Sequence, residues 1–98
     1  ATAHGEGRAD FGAGSIDNDL VVVRYASGRG EIAQRYPENP NGSPDGVTGL
    51  CNRDGRVTIL MPHPERLLRQ VNYSWAPADW GEHSPWMQMF INARQWLD

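Results

Sequence analysis

The sequence predicts an α/β chain, on three observations. Several short runs are rich in β-branched residues, they are joined by tight Gly- and Asn/Asp-containing turns, and the C-terminus carries one well-signalled amphipathic helix. Residues 1–10 contain His4-Gly5-Glu6-Gly7-Arg8, whose glycines mark a loop or turn. Leu20-Val21-Val22-Val23-Arg24-Tyr25 is the clearest strand, with too few polar breaks for a solvent-facing edge. Ser27-Gly28-Arg29-Gly30 supplies a turn, and the alternation in residues 31–36 predicts a hairpin with the preceding strand. Residues 37–45 (PENPNGSPD) are dense in Pro, Asn, Gly and Ser and form a loop. Strands are expected over 46–52 and 56–61, with Arg53-Asp54-Gly55 as the hairpin turn between them. Pro64 opens a short helix through Gln70, and residues 72–83 are an aromatic, irregular connection. The last helix, over 85–97, has Ser84 as N-cap and Pro85 at its first position. Its Trp86, Met89, Phe90, Ala93 and Leu97 fall at helical spacing, so a Trp86/Phe90/Ala93 face is expected to pack on the sheet.

Composition narrows the function classes. The 98 residues suffice for one small domain, and 39% hydrophobic content with four tryptophans argues against disorder. A net charge of −3, with nine arginines spread along the chain and lysine absent, leaves no basic footprint for nucleic acid. No apolar run approaches the length of a membrane-spanning helix. A single cysteine, Cys51, cannot form an internal disulfide, which points to a reducing cytoplasm. His4, His63, His83 and Cys51 show none of the short ligand spacings of zinc sites, so no metal is expected. Asn41-Gly42-Ser43 and Asn72-Tyr73-Ser74 satisfy the bare glycosylation sequon, but a cytoplasmic chain has no use for it. The chain starts at Ala1 with what already reads as part of a motif, so a piece of a longer protein is expected. Such a piece should expose apolar surface.

The most informative stretch is Thr58-Ile59-Leu60-Met61-Pro62-His63-Pro64-Glu65-Arg66. Proline fixes its own φ and pushes the preceding residue into the extended region, so Pro62 extends Met61 and Pro64 extends His63. In extended backbone residues i and i+2 share a face, which places His63 and Glu65 together just past a strand end. A carboxylate there accepts the imidazole Nδ1–H and leaves Nε2 to act as general base toward a third group. A chance pair at an ordinary strand exit is the competing reading. Cys51, twelve positions earlier, is the only thiol. Gly49-Leu50-Cys51-Asn52-Arg53 lacks the second glycine of a G-x-C-x-G nucleophile elbow, and a turn rather than a helix follows. Cys51 therefore reads as a strand or turn thiol.

HGEGR near the start, YPENPNGSPDGVTGL, MPHPER and SWAPADWGEHSPWMQMFINARQWL occur here in the order found in one family. The chain resembles the C-terminal end of phosphoribosylformylglycinamidine synthases of the large, single-chain form, a class I (triad) glutamine amidotransferase domain. The resemblance covers nearly the whole chain and is weakest over residues 9–35. HPE alone marks only the triad amidotransferase class. NPNGS followed by MPHPER points to the purine enzyme, and the SPWM tail to its large form. His83 stands where the family usually has an acidic residue, which puts little in doubt.

The resemblance implies the C-terminal part of a flavodoxin-like three-layer α/β domain, with a mixed sheet and a C-terminal helix. It implies His63 and Glu65 as the histidine and carboxylate of the triad, with the nucleophilic cysteine upstream and this piece inactive alone. His4, Gly5 and Glu6 match the segment that lines the glutamine pocket, largely through backbone groups, although an ordinary tight turn explains them equally well. Glutamine and the synthetase region of the same polypeptide are the implied partners. ATP and Mg2+ belong to that synthetase region, with no cofactor in these residues. Two other readings stay open: a triad amidotransferase with a different acceptor, or a non-catalytic interaction module whose HPE is coincidental.

Overall fold

The computed structural model describes Thr2 and residues 5–98, which fall into two compact units, residues 2–62 and 63–98. The α/β class is observed, as a three-stranded antiparallel sheet and a C-terminal α-helix.

The first unit holds the sheet, in the order β1 (Val21–Arg24), β2 (Val47–Cys51), β3 (Thr58–Leu60). A 3-10 turn over Asn18–Leu20, capped by the Asp17 carboxylate, leads into β1. In β2–β3 the partners are Gly49 with Leu60, Leu50 with Ile59 and Cys51 with Thr58. The expected Asp54-Gly55 turn closes this hairpin. Asn52 N–H donates to Val57 O at 3.0 Å, the Asn52 side chain accepts from Val57 N–H at 3.0 Å, and Gly55 takes φ 73°. Gly49 sits opposite Val23 on one side and Leu60 on the other. A Cβ there would lie 2.5 Å from Leu60 Cδ2 and 3.1 Å from Val23 Cβ, so the two neighbouring side chains close over the glycine.

The expected strand over 31–36 is not formed. Pairing extends only from Tyr25 to Ala33, through the Ala26–Ile32 bridge, a Ser27 N–H bond to Glu31 O at 2.8 Å and an Ala33 N–H bond to Tyr25 O at 2.9 Å. The physical reason is a competitor for the backbone. Asn39 Nδ2 donates to Ala33 O at 3.1 Å, taking the carbonyl a continuing ladder would use.

The most buried residues of this unit gather around that loop: Val47 and Ala33, with Asn39, Ser43 and Thr48 as polar members. Asn39 is 2% exposed and fully engaged, since Nδ2 also donates to Ser43 O at 2.9 Å and Oδ1 accepts from Ser43 N–H at 3.1 Å. Gly46, next along, has φ 66°, and a Cβ would stand 3.1 Å from Tyr25 O and 3.2 Å from Ala33 O. Only glycine fits where three backbone segments meet. The Thr48 hydroxyl is buried without a hydrogen-bond partner among the described residues.

In the second unit the helix expected from Pro64 through Gln70 is replaced by two 3-10 turns, Pro64–Arg66 and Gln70–Asn72. Between them Leu68 O and Gln70 N–H bond to Ser84 N–H and Glu82 O, at 2.9 and 2.8 Å around the Arg69–His83 bridge. Those cross-chain bonds win over a helix that would bury little. Tyr73 and Trp80 meet edge to face with ring centroids 5.2 Å apart. The C-terminal helix α1 runs over Met87–Leu97. The helix starts two residues later than expected, with Trp86 rather than Ser84 as its N-cap. Ser84 lies in the turn before it, where its hydroxyl accepts from Trp86 N–H at 3.2 Å, its carbonyl accepts from Met87 N–H at 3.0 Å, and Oγ donates to Leu67 O. Within its own unit no residue of α1 is buried, and Phe90 is 42% exposed. An apolar stripe at helical spacing specifies a helix and one preferred face, and burial additionally needs a surface to cover it.

Candidate active site

The site begins where β3 ends. Met61 N–H makes one more sheet bond, to Thr48 O at 2.9 Å, and Pro62 then stops the ladder. His63 has φ −105° and ψ 87°, outside the helical region, as a residue before proline should be. Pro64 starts a 3-10 turn over Pro64–Arg66, closed by Arg66 N–H to His63 O at 3.1 Å and Leu67 N–H to Pro64 O at 3.0 Å.

The turn brings the two side chains together. His63 Nδ1 lies 2.9 Å from Glu65 Oε1. The pair expected from the sequence is formed, but Glu65 is not in extended backbone: the 3-10 turn carries it back toward the imidazole. Both groups are reachable from solvent, with 30% of the His63 side chain and 57% of the Glu65 side chain exposed. The Glu65 carboxyl is held below its ordinary range. The hydrogen bond from its own backbone N–H is the largest cause, and the bond to His63 adds to it.

An ionised carboxylate only accepts, so Nδ1 carries the proton and Nε2 becomes the basic nitrogen. This arrangement can take a proton from an acidic group and return it to a leaving group. Because the folded-state value is lowered, the contact is fully present above the normal carboxylate range. It is lost only as pH falls through the lowered value. In carbon-13 NMR titrations, the Glu65 carboxyl should therefore titrate below a glutamate in an unfolded peptide. A midpoint at or above the unfolded value would contradict the geometry.

Of the other expected site residues, Gly5 and Glu6 form an exposed bend, and His4 lies outside the described residues. Cys51 is where the sequence put it, half-buried at the end of β2 and paired with Thr58, with a hairpin turn and no helix after it. No elbow is present at that thiol. A mostly apolar groove of about 270 Å³ runs between the segment after Gly7 and strands β2 and β3, with Arg8, Phe11, Thr48, Leu50, Ile59 and Met61 in its lining. Among the described residues no group of three or more His, Cys, Asp or Glu could hold a metal ion, and no helix is long and apolar enough to cross a membrane.

Turn chemistry alone accounted for the Asn39-Pro40-Asn41-Gly42-Ser43 loop at the level of sequence. The structure gives it a second role, bonding to Gly7 and Ala9. An asparagine and a serine four apart signal only the loop's closure on itself; the bonds to Gly7 and Ala9 span 34 positions and leave no local signal.

A histidine held by a carboxylate just past a strand end has the chemistry to serve as a general base. Residues 1–97 match the CobB/CobQ-like glutamine amidotransferase domain, and the chain belongs to that family. Glutamine is the substrate that such a domain takes.

Proposed function

We propose that this chain supplies the base, its carboxylate and part of the glutamine pocket of a triad glutaminase within phosphoribosylformylglycinamidine synthase. The observation that carries the reading is the His63 Nδ1–Glu65 Oε1 contact of 2.9 Å, set within the MPHPER motif. A cysteine thiol gives its proton to His63 Nε2, and the thiolate attacks the side-chain amide carbon of glutamine. The tetrahedral intermediate collapses with loss of the C–N bond, and His63 returns the proton to the departing ammonia. Water then adds to the thioester, glutamate leaves, and the thiol is restored. Glu65 holds the tautomer and stabilises the imidazolium throughout. His4, Gly5 and Glu6 contact glutamine through their backbone.

The thiol is not Cys51 in this reading. It belongs to a G-x-C-x-G elbow in residues upstream of those described, because Cys51 sits in a hairpin strand. The ammonia passes to a synthetase region of the same polypeptide, an ATP-dependent C–N ligase. With ATP and Mg2+ bound outside these residues, that region converts formylglycinamide ribonucleotide to formylglycinamidine ribonucleotide in purine biosynthesis. NPNGS followed by MPHPER, together with the SPWM tail, supports this acceptor, and the lone thiol suits a cytoplasmic setting.

The test is alkylation of the intact enzyme with a glutamine-analogue electrophile, followed by peptide mapping. Label is expected on an upstream cysteine, and Cys51→Ser should leave glutaminase activity nearly unchanged. Label on Cys51 overturns the assignment. Incubation with formylglycinamide ribonucleotide, ATP, Mg2+ and glutamine tests the acceptor, and failure to form the amidine would leave a triad amidotransferase of another specificity.

A further inference from the structure

The polar side chains of the loop Asn39-Pro40-Asn41-Gly42-Ser43 bond both within the loop region and to a distant part of the sequence. Asn39 is internal to it: its buried amide closes the loop on Ala33 and Ser43. The other two polar side chains reach another part of the sequence. Asn41 Nδ2 donates to Gly7 O at 2.6 Å, and Ser43 Oγ accepts from Ala9 N–H at 3.0 Å. Both bonds span 34 positions. Residues 7–9 have no helix or strand assignment. In extended backbone the polar groups of residues i and i+2 face one edge, so one loop can take both. Gly7 and Ala9, one and three residues beyond Glu6, are thus held by side chains of this loop.

We infer that Asn41 and Ser43, braced by Asn39, are positioning residues that fix the height and direction at which Gly5 and Glu6 meet the glutamine side chain. This rests on the glutaminase reading above, in which residues 4–6 line the pocket. A pocket built from backbone groups has no side-chain rotamer to adjust, so its fit depends on where the chain is pinned. Asn41 and Ser43 touch no reacting atom. Their effect should fall on the binding of glutamine rather than on proton transfer at His63.

The experiment uses the complete enzyme and measures glutamine hydrolysis over a full range of glutamine concentration. Asn41→Asp keeps the shape and removes the donor. Ser43→Ala removes the acceptor, and Ser43→Thr keeps it. Asn41→Asp and Ser43→Ala should each raise KM for glutamine about tenfold, as expected for loss of one well-formed hydrogen bond. Both should hold kcat within about twofold, since uniform binding is what is lost, and Ser43→Thr should return KM toward that of the parent. Ser43 is nearly fully buried, so if Ser43→Ala does not fold, the half-exposed Asn41→Asp decides alone. An unchanged KM, or a fall in kcat at constant KM, overturns the inference. His63→Ala run in parallel separates the two layers. If it still hydrolyses glutamine, the glutaminase reading fails; if it does not and the loop variants keep the parent KM, only the positioning role fails.

Discussion

His63→Ala should abolish glutamine-dependent amidination by the complete enzyme while the reaction supplied with ammonia continues. In the proposed mechanism the imidazole takes the thiol proton and hands it to the departing ammonia, so its removal strikes attack and departure together. Loss of a general acid–base group costs roughly 10²–10⁴-fold, and removal of one member of a triad can cost more. In the proposed function the acceptor chemistry uses ammonia however it arrives. Glu65→Gln should lower glutamine hydrolysis by less than His63→Ala. Its amide still reaches Nδ1, but an NH2 pointed there selects the tautomer with the proton on Nε2. Steady-state rates with glutamine and with ammonium salts check both variants. Loss of both activities in His63→Ala would assign the histidine a structural role instead.

Asn39→Ala should be the most damaging substitution for the fold of the first unit. The amide satisfies Ala33 O, Ser43 O and Ser43 N–H in a site 2% exposed, and alanine leaves all three without that partner. Each stranded buried group costs about 1–3 kcal/mol, and partial relaxation brings the whole to roughly 2–4 kcal/mol. For a chain of this size that corresponds to a fall in thermal midpoint on the order of 10 °C or more. Asn39→Asp should do no better at neutral pH, since a carboxylate cannot donate to two carbonyls and would be charged where water is excluded. Thermal unfolding followed by circular dichroism measures both, and a midpoint within about 2 °C of the parent would show that the loop is held by other contacts.

Where the sequence was legible, one short-range rule decided the outcome. The β-branched run at 20–25 and the Asp54-Gly55 turn each depend on neighbours in the chain, and each is found; the last helix is found too, beginning two residues after the Ser84-Pro85 signal placed it. The His63–Glu65 pair was legible for the same reason, although the backbone that joins them is a 3-10 turn rather than an extended segment. Residues 31–36 misled because alternation describes what a strand can bury and not which acceptor captures its carbonyls; Asn39, six residues beyond Ala33, takes one of them. The helix stripe is silent in a related way, since spacing cannot show whether a face is covered. The Asn41–Gly7 and Ser43–Ala9 bonds join positions 34 apart, beyond the reach of any local pattern.

The closure of His63 on Glu65 within a single turn has a consequence for control. Two groups only two residues apart at one turn meet through local backbone geometry, so their contact does not depend on how distant elements are arranged. In the proposed glutaminase, control would then fall on the approach of the thiol or the entry of glutamine rather than on the histidine.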